Sequence, residues 1–341
     1  MLNLVKKHNL FPGDLTGSPD NYFSINKECT EQIKGLAILA VLIAHYSVVM
    51  DIKSSLLYFG AQGVAIFLIL SGYGLTLSYN KTKNKNFFSK RFSKVFVPYF
   101  IVTLGWIIMN TMYFHITYAK RTIFFALIGF DIHRSIDGTM WYISFVILWY
   151  FIFYFTFKLN INKIFKLLIL FCFAYWFRKN TFYTIFHINF GDLAWQYGLH
   201  AYFFPIGVLI AFYFDKISAY LTPVRLFIFS TVCFLIYVIN IHNNTIDLSY
   251  YTVSNLFFAL GVISFLCLLS YFNVYSRLLK FLGKYSYEIY LLEGNLLAIT
   301  HLFKNKLLAL PFYLMVLIPL TLVLSKIIKI DFSPIKAKLS I

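Results

Sequence analysis

The feature that most constrains this chain is the recurrence of apolar stretches about 17 to 25 residues long, the length a helix needs to cross roughly 30 Å of hydrocarbon. They fall near 33–50, 56–79, 95–114, 139–157, 163–177, 197–214, 224–241, 250–272, 285–303 and 307–328. The segment 121–130 (RTIFFALIGF) is too short to cross and reads as a re-entrant or interfacial piece. Composition agrees: 60% of the 341 residues are hydrophobic and only 13% charged, with a mean hydropathy of +0.73. A soluble domain carries about a quarter charged residues, so this chain cannot cover a water-facing surface. The fold class expected is all-α, a polytopic transmembrane bundle of about ten helices. Residues 1–32 form a short N-terminal segment, 33–330 the membrane domain and 331–341 a tail.

The net charge of +17 does not indicate a nucleic-acid partner, because the Lys and Arg residues sit in short connectors between apolar runs rather than on one soluble face. Threaded through the expected spans, 22 basic residues fall on the side of the N-terminus and eight on the other. Such an imbalance places both termini in the cytoplasm. The four cysteines (Cys29, Cys172, Cys233 and Cys267) show no metal-ligand spacing and read as packing residues. No metal is expected. Residues 1–30 lack the apolar core of a cleavable signal peptide.

Ionisable residues inside apolar spans are costly and face cavities or polar partners. In the first span Lys34 and His45 lie eleven positions apart, about three turns plus 20°, so they share one face roughly 16 Å apart along the axis. Lys34 falls at the cytoplasmic interface and His45 well inside the membrane. A neutral imidazole is a common general base, against the blander reading of a structural hydrogen bond. The ninth span holds Glu288 and Glu293 on different faces, and Glu293 is the candidate partner for His45 or for a substrate. Gly60, Gly63, Gly72 and Gly74 surround Ser71 and Tyr73, which reads either as close helix packing or as backbone approached by a ligand. Arg91 and Lys94 share a face where the third span begins, an anchor for phosphates beyond what the sorting of positive charge requires.

Taken in order, KGLAILAVLIAH (34–45), GAQGVAIFLILSGYGL (60–75), FFSKRFSKVFVPYF (87–100), MWYISFVILWY (140–150) and LGKYSYEIYLLE (282–293) resemble the acyltransferase 3 family of integral membrane O-acyltransferases. The family's basic-x10-His motif maps onto Lys34 and His45, with Lys where many members carry Arg. Its Arg-x-x-Arg maps onto Arg91 and Lys94. Glu293 stands where many members have a histidine. The resemblance implies transfer of an acyl group, usually acetyl from acetyl-CoA, to a hydroxyl of a cell-surface carbohydrate or its lipid-linked precursor. Lys34, Arg91 and Lys94 would then hold the coenzyme's phosphates. His45 would deprotonate the acceptor or briefly carry the acyl group, with Glu293 beside it. Ser71, Tyr73, Trp141 and Glu288 are the candidate substrate contacts, with the aromatic wealth of the fourth to sixth spans supplying a sugar site. The setting implied is the bacterial cytoplasmic membrane, with the lipid bilayer as the other partner. The rival class is a transporter or flippase for a lipid-linked sugar, for which Pro205, Gly207 and Pro319 would break helices. A scaffold has no need of a mid-membrane His and Glu.

Overall fold

The first long helix starts where Asn26 accepts a hydrogen bond from Cys29 N at 2.7 Å, capping α1 (Lys27–Val49). The computed structural model describes residues 25–51, 55–82, 87–131, 135–179, 184–185, 188–189, 191–242 and 248–328. The expected N-terminal segment to residue 24 and the tail from 329 lie outside them.

A π turn over Phe92–Phe96 joins α2 (Phe59–Thr82) and the short α3 (Phe87–Arg91) to α4 (Val97–Tyr113), which opens on Pro98. The segment read as too short to cross is α5 (Lys120–Leu127). Next come α6 (Trp141–Lys158) and α7 (Lys163–Lys179), then a two-residue antiparallel pairing of β1 (Thr184–Ile185) with β2 (Ile188–Asn189). The sixth expected span is two helices, α8 (Gly191–His200) and α9 (Phe203–Ser218), with Pro205 in the first turn of α9. A proline has no N–H to bond back to the preceding turn, so it belongs at such a start. α10 (Pro223–His242), α11 (Leu248–Tyr271), α12 (Arg277–Lys284), α13 (Ser286–Leu296) and α14 (Lys306–Ile328) complete the chain.

Among the described residues, eight helical segments are long and apolar enough to cross a membrane. The ninth expected span is not one continuous helix. α13 ends at Leu296 and passes into a 3-10 turn over Leu297–Leu302. The break follows Gly294, where any side chain would run into Thr139 and Asp137. The expected fifth span is the 17-residue α7, also outside those eight.

Lipid offers apolar helices no hydrophobic reason to associate, so they meet through small residues that let backbones touch. Here that contact runs as a chain. Gly35 of α1 lies on the Leu279 carbonyl of α12, and Gly283 of α12 on the Glu31 carbonyl of α1. Gly63 of α2 lies on the Ala37 carbonyl. Gly72 lies on the Phe204 carbonyl of α9, and Gly207 of α9 on the Ile69 carbonyl. Substitution at any of the five would force two backbones apart. The glycines read from sequence as either packing or ligand approach thus include two, Gly63 and Gly72, committed to packing.

Two apolar cores result. One gathers Val64, Ile66, Phe145, Trp149, Phe153 and Phe204, and the other Val41, Tyr99, Ile143, Ile289, Tyr290 and Tyr313. α1 and α6 contribute to both, and cavities open between them. Outside, α10 exposes Phe227, Ile228, Leu235, Val238 and Ile239, and α14 exposes Leu308, Met315 and Val323. In water such faces would aggregate; in a bilayer they meet acyl chains.

Candidate active site

The small residues of α1 bring its neighbours close, and two of its ionisable side chains, Lys34 and His45, line cavities. Each enters a different cavity. Lys34 lines one of about 410 Å³, together with Arg91, Lys94, Ser71 and Tyr150. None of the described residues lining it is acidic. Arg91 sits with its Cζ 5.8 Å from the Tyr150 ring, a cation–π contact, and its buried Nε has no partner among the described residues. Ser71 donates a hydrogen bond to the Tyr150 hydroxyl at 3.2 Å. A guanidinium whose buried Nε is an idle donor, beside two ammonium groups, suits an anion.

His45 lines the second cavity, about 370 Å³, which is walled by Trp141, Trp195, Gln196, Tyr251 and Asn255. Asn255 is buried, and its Nδ2 is without a partner among the described residues. Val41, Val64, Tyr142 and Tyr290 line both cavities, so the two spaces abut at this wall. The Tyr142 and Tyr290 rings meet edge-on there, with centroids 5.6 Å apart. The Tyr290 hydroxyl donates to the Thr139 carbonyl, which fixes one of the pair.

The decisive contact crosses from α1 to α13: His45 Nδ1 lies 2.7 Å from Glu293 Oε1. The Glu293 side chain is completely buried, whereas 30% of the His45 side chain remains exposed. With Nδ1–H donated to the carboxylate, Nε2 keeps its lone pair, and the buried acceptor holds the ring's orientation. Tyr313 of α14 donates to the Glu293 backbone carbonyl at 3.4 Å. Two residues 248 positions apart in sequence thus form a base–orienter pair next to a cavity.

A family model described as an acyltransferase domain, acyltransferase 3, matches residues 29–329, nearly the whole chain. The chain belongs to the acyltransferase 3 family. Searches of curated proteins and of solved structures return no match. As a member of this family it is a membrane acyltransferase.

Of the residues singled out in the sequence, His45 and Glu293 meet, Lys34, Arg91, Lys94 and Ser71 share the basic cavity, and Trp141 lines the cavity of His45. Two lie elsewhere. Tyr73 packs edge-on against Phe214, with ring centroids 5.4 Å apart, and lines neither cavity. Glu288 stands in the first turn of α13 and likewise lines neither. Among the described residues no group of three His, Cys, Asp or Glu is arranged for a metal ion.

Sequence reasoning missed Tyr290, Trp195, Asn255 and Asp137. Tyr290 was within reach, since it precedes Glu293 by three positions and so shares its helix face. Asp137 gives a weaker signal, a carboxylate just ahead of the expected 139–157 span. Asn255 and Trp195 carry no pattern that separates them from packing.

Proposed function

We propose that this acyltransferase moves an acetyl group from acetyl-CoA to a hydroxyl of a cell-surface or lipid-linked carbohydrate in the bacterial cytoplasmic membrane, with the basic cavity open to the cytoplasm. One observation carries the reading: the anion-suited cavity of Lys34, Arg91 and Lys94 abuts the cavity of His45 at a wall only a few side chains thick. Coenzyme A is a polyanion on a long, thin arm. Its phosphates match the cations, and its arm can place a thioester at the Val41–Tyr142–Tyr290 wall. The acceptor occupies the other cavity, where Trp195 and Tyr251 offer apolar ring faces and Asn255 an idle amide donor. Such rings over a few polar groups suit a pyranose, whose two faces are apolar and whose rim is hydroxylic.

In the reaction His45 Nε2 takes the hydroxyl proton as the acceptor oxygen attacks the thioester carbonyl. The new C–O bond forms and the C–S bond breaks. The thiolate then collects the proton from the imidazolium, so no net proton is released. Glu293 keeps the ring in the tautomer that exposes Nε2 and balances the positive charge that forms on it. The test is acetyl-CoA turnover by purified protein in nanodiscs, with and without simple pyranosides such as methyl glucoside and methyl N-acetylglucosaminide. The reading expects slow thioester breakdown that an accepted sugar accelerates. Failure of acetyl-CoA and other acyl-CoA donors to bind or react would sink it.

A further inference from the structure

A second buried carboxylate stands beside the His45–Glu293 pair. Asp137, 5% exposed, sits in the loop that leads into α6. Its Oδ1 accepts from Thr139 N at 2.8 Å and from Thr139 Oγ1 at 2.6 Å. Its Oδ2 has no partner among the described residues, and the same holds for Oε2 of Glu293. The loop is pressed onto α13 at the residue after Glu293: a methyl group on Gly294 would lie 2.9 Å from Asp137 Oδ1 and 2.6 Å from Thr139 Oγ1. The Tyr290 hydroxyl, bonded to the Thr139 carbonyl, ties down the same loop one turn earlier on α13. Each carboxylate therefore spends one oxygen on a local partner and leaves the other idle in a region closed to water.

Two buried carboxylates and one imidazole cannot all carry full charge without cost. With one proton shared among the three, either His45 is protonated beside two anions, or His45 is neutral and Asp137 holds the proton. Both arrangements have the same net charge, and they differ only in which group carries the proton. We propose, on the basis of the acyl-transfer reading above, that Asp137 is a positioning residue of this site: in its ionised form it stands as a second negative charge beside the imidazolium that forms when the acceptor's proton reaches His45. The groups facing Asp137 are His45 on α1, Tyr99 on α4, Glu293 and Tyr290 on α13, and Asp131 in its own loop. Burial pushes the Asp137 carboxyl up to about 6, against the two Thr139 hydrogen bonds that pull it down. It therefore changes charge near pH 6.

The test compares wild type, Asp137→Asn and Asp137→Glu in nanodiscs. Asn keeps an oxygen for Thr139 but has no charge, so acetyl-CoA turnover should fall by about tenfold or more with KM for acetyl-CoA within about twofold. The step in rate near pH 6 should disappear, and Glu should restore part of both. Should the Asn variant not fold, Thr139→Val serves instead. It removes a donor that favours the ionised form, so the step should move to higher pH. A readout free of turnover is the labelling of His45 by diethyl pyrocarbonate, which attacks the neutral imidazole only. At pH 6 Asp137→Asn should label at least about threefold faster than wild type, read by peptide mass spectrometry. A pH profile and a labelling rate both equal to wild type would overturn the role, as would a lowered melting temperature with neither readout changed. If no protein turns over acyl-CoA, the acyl-transfer reading fails, and the labelling rates still decide the role of Asp137.

Discussion

The two cavities are nearly equal in size, about 410 and 370 Å³, and share four wall residues, yet their chemistry differs throughout. One presents two ammonium groups and a half-buried guanidinium, with no acidic residue among those described. The other presents one imidazole on a buried carboxylate, surrounded by indole, phenol and amide groups. The first can hold an anion and has neither an imidazole nor a carboxylate among its described lining residues. The second can move a proton and has no cation to hold a phosphate. On the proposed reading binding and chemistry are separated across the wall, and α1 is the element that serves both, with Lys34 near one end and His45 near the other.

That division predicts which kinetic constant each substitution changes. His45→Ala should have the largest effect, lowering kcat by about 10²- to 10⁴-fold, the usual worth of a general base, with KM for acetyl-CoA nearly unchanged. A large rise in KM instead would mean that the two cavities are not distinct in function. Glu293→Gln comes next: the ring loses its orienting charge, and kcat should fall by about tenfold to a hundredfold, again with little effect on KM. Arg91→Ala should act in the opposite sense, raising KM for acetyl-CoA by roughly tenfold through loss of charged hydrogen bonds while kcat is held. Loss of kcat without a change in KM would place Arg91 with the chemistry and break the comparison. The smallest effect expected is on stability. Asp137 is easier to bury protonated, so its contribution is present below its unfolded value near 4 and is lost as pH rises through about 6. The wild-type melting temperature should therefore fall between pH 4 and pH 6 relative to that of Asp137→Asn.

Much of the bundle was legible because crossing a bilayer imposes a length and a composition that few other constraints can imitate. The pairing of Lys34 with one end of α1 and His45 with the other followed from helix periodicity alone. The ninth span reads as continuous in hydropathy, which does not register the change from α13 to a 3-10 turn after Leu296. Gly294 gives way there to Asp137 and Thr139, more than 150 positions earlier in the chain. Tyr73 is a candidate substrate contact whose glycine neighbours read either as packing or as ligand approach, and in the structure Gly72 faces a backbone carbonyl of α9 and Tyr73 faces Phe214. Glycine next to an aromatic residue reads the same whether it admits a helix or a ligand. The meeting of His45 with Glu293 was a candidate on grounds of cost, since each needed a partner, but periodicity within one helix says nothing about which other helix supplies it.

The most direct test of the separation between binding and chemistry measures acetyl-CoA binding and turnover on the same nanodisc samples of wild type, His45→Ala and Arg91→Ala. The structure predicts that His45→Ala binds acetyl-CoA about as tightly as wild type and does not consume it, and that Arg91→Ala binds it weakly but turns it over at saturation. Wild-type turnover in His45→Ala, or unchanged affinity in Arg91→Ala, would contradict the assignment of the two cavities.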